Sequence, residues 1–310
     1  MVVENTLLMA AGLAVLVKSS LVAVRSLASV SWHFRLSEFF TSFLIVGLVS
    51  TIPELFIGVN SALDAKPELG WGVVIGSNII DLTIILGIVT IYARNLPVRA
   101  KFIKSMPAYL VAISLPVVLL ADGKLDRLDG LLLVGAMLAY VWFVYKKTGT
   151  TTAKSPPFSR IYSVRRSLVY APLSIAIMFV SSDIVARNAE QLSILMSVPV
   201  VLIGMFVVAL GTCLPELIFS VRAVRERHKG LAVGDIFGNV VIDSTSSIGI
   251  IALITPIAAS GIALRSGIFM LAAALILMAL VTRERGLKWP EGIALVLTYV
   301  AFAALGVLSA

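Results

Sequence analysis

Long apolar stretches alternate with short charged breaks along the chain, at residues 6–28, 36–63, 69–92, 104–121, 128–146, 167–190, 198–222, 230–256, 262–281 and 289–309. A helix of about 20 apolar residues spans the roughly 30 Å hydrocarbon core of a bilayer. The pattern therefore predicts an all-α polytopic membrane protein of ten transmembrane helices. The loops are short except for 147–166, which holds Pro156-Pro157 and a Thr/Ser-rich run. That stretch divides five helices from five: a first unit at 1–146, a linker at 147–166 and a second unit at 167–310.

The basic residues test this count independently of hydropathy. Alternate breaks hold Arg25 and Arg35; Arg94, Arg99, Lys101 and Lys104; Lys146, Lys147, Lys154, Arg160, Arg165 and Arg166; Arg222, Arg225, Arg227 and Lys229; Arg283, Arg285 and Lys288. These are 19 of the 25 Lys and Arg. Cytoplasmic loops carry the excess of Lys and Arg, so the linker is expected in the cytoplasm and both termini outside the cell membrane. One missing helix would scramble the alternation.

A shift of 162 residues lays the second half on the first without a gap. Ser19-Ser20 then meets Ser181-Ser182, Pro53-Glu54-Leu55 meets Pro215-Glu216-Leu217, and Gly72 and Gly76 meet Gly234 and Gly238. Asp81 meets Asp243, and Gly87 meets Gly249. Five helices per half is an odd number, so the halves enter the membrane with opposite orientation. Inverted repeats of this kind are a signature of secondary transporters, whose substrate site lies near the midplane.

Composition narrows the classes further. The chain is 59% hydrophobic and 14% charged, against about 45–50% apolar and about 25% charged for soluble domains. That excludes a water-soluble enzyme. The net charge of +8 resides in the loops, so no nucleic-acid partner is implied; the partner is the lipid bilayer. Cys213 is the one cysteine and forms no internal disulfide. The first residues lack the basic stretch of a cleavable signal peptide, so the first helix is expected to be retained.

Four carboxylates fall inside apolar helices: Glu54, Asp81, Glu216 and Asp243. A charge at the bilayer centre costs about 2.5–3.5 kcal/mol on insertion scales. Two symmetric pairs of them point to cation binding. Helical spacing adds oxygen beside each. Gly47, Ser50, Thr51 and Glu54 share a face, as do Ala209, Thr212, Cys213 and Glu216. Ser77 and Asn78 precede Asp81 by four and three residues, and Asn239 precedes Asp243 by four. Carboxylate, hydroxyl and carbonyl oxygens are the ligand set of Ca²⁺, and there is no His or Cys cluster for a softer metal. Pro53 and Pro215 lack an N–H, so the carbonyls of Val49 and Gly211 lose their helical partners. The Gly72/Gly76 and Gly234/Gly238 pairs let helices three and eight press against the broken helices two and seven.

Ser50-Thr51-Ile52-Pro53-Glu54 and Gly76-Ser77-Asn78-Ile79-Ile80-Asp81, with Gly211-Thr212-Cys213-Leu214-Pro215-Glu216 and Gly238-Asn239-Val240-Val241-Ile242-Asp243, resemble the two alpha-repeats of the sodium/calcium exchanger family, within the cation/calcium exchanger superfamily. In this chain they occupy 47–87 and 209–249. The resemblance is to compact prokaryotic members without a large cytoplasmic domain. It implies Glu54 and Glu216 as central Ca²⁺ ligands, assisted by Ser50, Thr212 and carbonyls near Gly47 and Ala209, with helices one and six sliding to alternate access. Three positions depart from the pattern. Asp81 stands where sodium-coupled archaeal members tend to carry Asn, Asn239 replaces a Ser of a sodium site, and Cys213 replaces another Ser.

The expected function is Ca²⁺ export in exchange for Na⁺ by alternating access, with no resident cofactor and no enzymatic activity. A Ca²⁺/H⁺ antiporter on the same fold is the alternative. Four carboxylates carry −4, one Ca²⁺ leaves −2, and protons on Asp81 and Asp243 would relieve the remainder. An intramembrane aspartyl protease built on Asp81 and Asp243 is a distant alternative that leaves Glu54 and Glu216 without a role. A passive cation channel suits an inverted repeat within one chain less well than alternating access.

Overall fold

The computed structural model describes residues 1–33, 47–98, 103–148 and 163–308. The expected start of the second helix, Arg35, Arg99, Lys101, Lys154, Arg160 and most of the 147–166 linker lie outside the described residues. The first half runs α1 (Val2–His33), α2 (Gly47–Ser50), α3 (Ile52–Leu63), α4 (Pro67–Ile80), a π-helical turn at Asp81–Ile85, α5 (Leu86–Ala93), β1 (Asn95–Pro97), α6 (Met106–Leu120), β2 (Lys124–Leu125) and α7 (Arg127–Thr148). The second runs α8 (Val164–Met196), α9 (Val200–Ile203), a π-helical turn at Gly204–Val208, α10 (Ala209–Thr212), α11 (Leu214–Arg225) and α12 (Lys229–Ile242). It ends with a π-helical turn at Asp243–Ser247, α13 (Ile248–Ile254), β3 (Ile257–Ala258), α14 (Gly261–Glu284), β4 (Gly286–Lys288) and α15 (Trp289–Leu308).

Six helical runs among the described residues are long and apolar enough to cross a membrane: Val2–Leu27, Pro67–Ala93, Val164–Met196, Val200–Arg225, Lys229–Ile254 and Gly261–Arg283. Large apolar side chains such as Leu7, Val111, Leu131, Leu138, Val180 and Val300 are exposed, far beyond the patches of a soluble protein. The polar residues are inside instead. This is the distribution of a multi-pass membrane protein.

Helix ends differ from the hydropathy boundaries. The stretch expected as linker loses residues at both ends, because α7 continues to Thr148 and α8 begins at Val164. There the Ser163 side chain accepts from Arg166 N at 3.4 Å as an N-cap, one of the side chains that satisfy the free amides of a helix start. Asp126 and Asp129 cap α7 reciprocally: Asp126 accepts from Leu128 N at 2.8 Å, and Asp129 accepts from Asp126 N at 2.9 Å. The amides of Asp129 and Leu128 hold the half-buried Asp126 carboxyl below its ordinary pKa. This N-cap is therefore fully formed above the usual carboxylate range and is lost as the pH falls through the lowered value.

The element bounds repeat at the same 162-residue offset: α2, α3, α4 and the turn at Asp81–Ile85 against α10, α11, α12 and the turn at Asp243–Ser247. The strands pair crosswise. β1 runs antiparallel to β4, with Leu96 opposite Leu287, and β2 runs antiparallel to β3, with Leu125 opposite Ile257. The offset carries β1 onto β3 and β2 onto β4, so one pairing becomes the other, as under a two-fold axis between the halves. The basic breaks also meet. Lys229 Nζ donates to Ala93 O at 3.2 Å and to Asn95 O at 2.6 Å, beside the β1–β4 pair that holds Lys288.

At the centre lie α4 and α12, almost wholly buried. Glycine makes this possible. A Cβ on Gly72 would stand 2.3 Å from Val201 O, and one on Gly76 would stand 2.7 Å from Met205 Cα and O. Helix α4 thus presses its GxxxG face on the start of the seventh membrane segment, and α12 approaches Gly47 of α2. Trp71 Nε1 donates to Ala263 O at 3.2 Å and fastens α4 to α14. Gly72→Val is expected to abolish the monodisperse gel-filtration peak of the detergent-purified protein, because the clash is with backbone and no rotamer relieves it. At the periphery α1 packs along α8, with Leu16, Val185, Ala186 and Ala189 in a separate apolar cluster. Lys18 on α1 is exposed. Asp183 pairs with Arg187 at 2.9 Å one turn away.

Candidate functional site: a buried carboxylate cluster

Each half places its glutamate just after a break in a helix. The second segment breaks at Thr51, between α2 and α3, and the seventh breaks at Cys213, between α10 and α11. Pro53 and Pro215 fill the second position of the new helices, where a missing N–H costs nothing. One residue later Glu54 and Glu216 point inward, each 2% exposed. The aspartates lie at the other kind of irregularity. Asp81 and Asp243 open the two π-helical turns after α4 and α12, a distortion frequent at functional sites. Within each turn a threonine hydroxyl takes the carbonyl four residues back: Thr83 to Ile79 O, and Thr245 to Val241 O at 2.5 Å. That carbonyl is shared between side chain and backbone, which loosens the α-helical ladder where the turn widens.

The halves meet through these residues. Ser50 Oγ donates to Asn239 Oδ1 at 2.7 Å. Ser77 Oγ donates to Asp243 Oδ2 at 3.3 Å, and Ser247 Oγ donates to Asp243 Oδ1 at 2.7 Å. Asn78 Nδ2 donates to Ser244 Oγ at 3.0 Å. Thr212 stands at Glu54, and Asn239 at Asp81. Cys213 Sγ lies 3.8 Å from Ser77 O. The carbonyls of Gly47 and Ala209 accept from Thr51 N and Cys213 N at 3.1 Å, and also from Ser50 Oγ at 3.4 Å and Thr212 Oγ1 at 3.2 Å. Ala209 Cβ packs on Gly76. Thr51 is buried beside them, and its hydroxyl donates back to Leu48 O at 3.1 Å, as those of Ser77 and Thr212 do to Val74 O and Ala209 O.

A fifth carboxylate belongs to the cluster. Asp235, on α12, is fully buried, and Ser220 Oγ donates to its Oδ2 at 3.3 Å. Its charge reaches both Asp81 and Glu216, and Glu54 in turn acts on Asp81, Glu216 and Asp243. Among the described residues no ion pair joins any of the five to a Lys, Arg or His. One oxygen each of Glu54, Asp81, Glu216 and Asp235 has no hydrogen-bond partner among the described residues. Buried carboxylate oxygens without donors or counter-charge are costly. A cation seated among them would supply the missing charge and contacts. Among the described residues no three acidic, His or Cys side chains converge on one point. A hard cation held here would need carboxylates completed by hydroxyl, amide and carbonyl oxygens.

Asp235 is the residue that comparison of the halves passes over, because at the 162-residue offset it meets Val73. Helical period finds it: Asp235, Asn239 and Asp243 are spaced by four on α12.

The sequence model of the family described as Sodium/calcium exchanger protein matches residues 4–146 and 166–307. The chain is 26% identical to the putative antiporter CaxA of Alkalimonas amylolytica, over 97% of this chain and 98% of that one. It is 24% identical to the sodium/calcium exchanger MaX1 of Methanosarcina acetivorans, with the same shares covered. In three dimensions it is similar to the sodium-calcium exchanger NCX_Mj, with a TM-score of 0.72 and 21% identity over 98% of this chain and 99% of that one. At that identity the likeness speaks for the fold. The family match over both halves carries the assignment: the chain belongs to the sodium/calcium exchanger protein family, multi-pass membrane transporters of cation/calcium antiport rather than enzymes.

Proposed function

We propose that this protein exports Ca²⁺ from the cytoplasm in exchange for Na⁺ by alternating access, with Glu54 and Glu216 as central Ca²⁺ ligands. The observation that carries the reading is the buried cluster of carboxylates that no basic side chain among the described residues neutralises. Ser50, Thr212, the carbonyls of Gly47 and Ala209, and the side chains of Ser77, Asp81, Asn239 and Asp243 complete the oxygen shell of the cations. Ca²⁺ takes six to eight oxygens at about 2.3–2.6 Å, and flexible mixed sites of this kind suit it. The relatives MaX1 and NCX_Mj are named as sodium–calcium exchangers, which supports Na⁺ as the counter-ion.

The halves at 1–146 and 167–310 act as inverted five-helix repeats around this site, ten membrane helices in all. The common offset of the helix bounds and the crosswise strand pairing support that arrangement. The peripheral pair α1 and α8 is the element that moves against the central helices, since each packs mainly on the other. The termini face the cell exterior and the linker faces the cytoplasm, in keeping with the meeting of basic breaks at one end. Protons are the second reading for the counter-ion, favoured by Asp81, a carboxylate that can carry one.

Reconstitution of purified protein in liposomes tests this. ⁴⁵Ca²⁺ uptake is expected to follow an imposed Na⁺ gradient and to be absent under a pH gradient alone; the reverse result assigns H⁺. A Cys213→Ser protein with single cysteines introduced at 150–160 is expected to react with impermeant maleimide only from the cytoplasmic side, and labelling from outside overturns the topology.

A further inference from the structure

We propose that Asp235 and Ser220 extend the oxygen shell beyond Ser50 and Asn239 and hold one monovalent cation there, on the Lys229 side of the central carboxylates. The inference rests on the exchange reading above and extends it by two ligands that the symmetry of the repeat does not contain.

Two polar residues break the repeat together. Asp235 and Ser220 stand where the first half has Val73 and Gly58. Both are fully buried, and they meet each other, with Ser220 Oγ donating to Asp235 Oδ2 at 3.3 Å. Val73 is fully buried too, so a carboxylate is no requirement of packing at this level of the helix. Asp235 Oδ1 has no hydrogen-bond partner among the described residues. An acid without a cation or a full set of donors at such a depth is expensive, and intramembrane acids of this kind line ion pathways.

Further oxygens surround it. Ser50, from the broken second segment, lies against Asp235 and donates to Asn239 Oδ1 at 2.7 Å. Asn239 is one turn beyond Asp235 on the same helix face. The set is one carboxylate, two hydroxyls and one amide oxygen, drawn from α2, α11 and α12. Its charge of −1 is balanced by a single monovalent cation, whereas the paired glutamates suit a divalent one. Position along the helix separates the two. Asp235 is six residues, about 9 Å, from the start of α12 at Lys229, and Asp243 is about 12 Å farther on. Ser220 likewise follows Glu216 by one turn toward the Arg225 end of α11. In the topology proposed above, the subsite faces the cytoplasm, where Na⁺ is released. A single extra acid there makes the two directions of access unequal in a protein whose other ligands are arranged in pairs.

The test is equilibrium binding of ²²Na⁺ to detergent-purified wild type, Asp235→Asn and Ser220→Ala in Ca²⁺-free buffer, with the gel-filtration profile as the check on folding. Asp235→Asn is expected to bind one Na⁺ fewer per chain at saturation. Ser220→Ala keeps the charge, so it is expected to bind the same number with about fivefold weaker affinity for one of them. An unchanged number and affinity in both variants overturns the subsite, and so does a wild type that binds no Na⁺. Should Asp235→Asn fail to fold, an unaltered affinity in Ser220→Ala alone overturns it. The exchange reading fails separately, by absence of saturable ⁴⁵Ca²⁺ binding to wild type in Na⁺-free buffer, whatever the sodium count.

Discussion

Glu54→Gln and Glu216→Gln are each expected to lower Ca²⁺ flux in proteoliposomes roughly a hundredfold or more while the protein still elutes as a folded species. The amide keeps the volume and one carbonyl oxygen, so the packing at 2% exposure is undisturbed. What disappears is a full negative charge facing a dehydrated divalent ion. Removing one partner from a buried charge interaction costs about 2–5 kcal/mol, and each 1.4 kcal/mol is a factor of ten. The two variants are expected to be about equally impaired, because each glutamate follows a break and a proline in the same way. Asp183→Asn is the control. Asp183 is half-buried, a third exposed, and paired with Arg187, so its loss is expected to change flux less than twofold. Wild-type flux in either glutamine variant would remove Glu54 and Glu216 from the centre of the site.

That pair was legible because two independent patterns converge on it. Proline followed by glutamate inside an apolar helix is conspicuous on its own, and the 162-residue offset repeats it. The GxxxG faces were legible for the same reason, and the structure seats the first of them on Val201 and Met205 of the seventh segment as close as glycine allows. The helical, membrane-spanning class followed from hydropathy, since apolar residues face lipid as well as the core.

Other features carry no such signal. Asp235 has no partner in the repeat, so a search by symmetry discards a carboxylate of the buried cluster that only the second half carries. The π-helical turns at Asp81 and Asp243 depend on how Thr83 and Thr245 bond to carbonyls four residues back, and a threonine in an apolar helix does the same in ordinary turns. The tie between Lys66 and Glu190, which joins the α3–α4 corner to α8, brings together residues far apart in the chain. So does Asn60 Nδ2 donating to Ser182 Oγ at 2.8 Å. Thr51 shows the limit of spacing. It shares a helical face with Ser50 and Glu54 by spacing, yet the break falls on Thr51 itself, and its hydroxyl bonds to Leu48 O rather than to a residue of the other half.

Asp81→Asn separates the two counter-ions. If protons drive exchange, the carboxylate at this position loads and releases one, and the variant is expected to lose H⁺-driven Ca²⁺ flux. If sodium drives it, the substitution restores the residue that resembled sodium-coupled members carry, and Na⁺-driven flux is expected to stay within about threefold of wild type. We expect the sodium outcome. Ser50, Ser77 and Thr212 keep hydroxyls at the cluster, the oxygen type a small monovalent cation uses, although Ser77 now donates to Asp243. The surroundings of Asp81 tolerate the change: Asn239 is at hand as an amide partner, and one carboxylate oxygen has no partner to lose. Removing one of five buried acids also leaves one fewer group able to take up a proton at the expense of a cation. Ca²⁺ flux of the variant is therefore expected to persist to lower pH than that of wild type, across pH of about 5.5–8.5 with and without a Na⁺ gradient. Abolished flux in Asp81→Asn, together with no effect of Na⁺ on wild type, would make the proton the counter-ion and Asp81 its carrier.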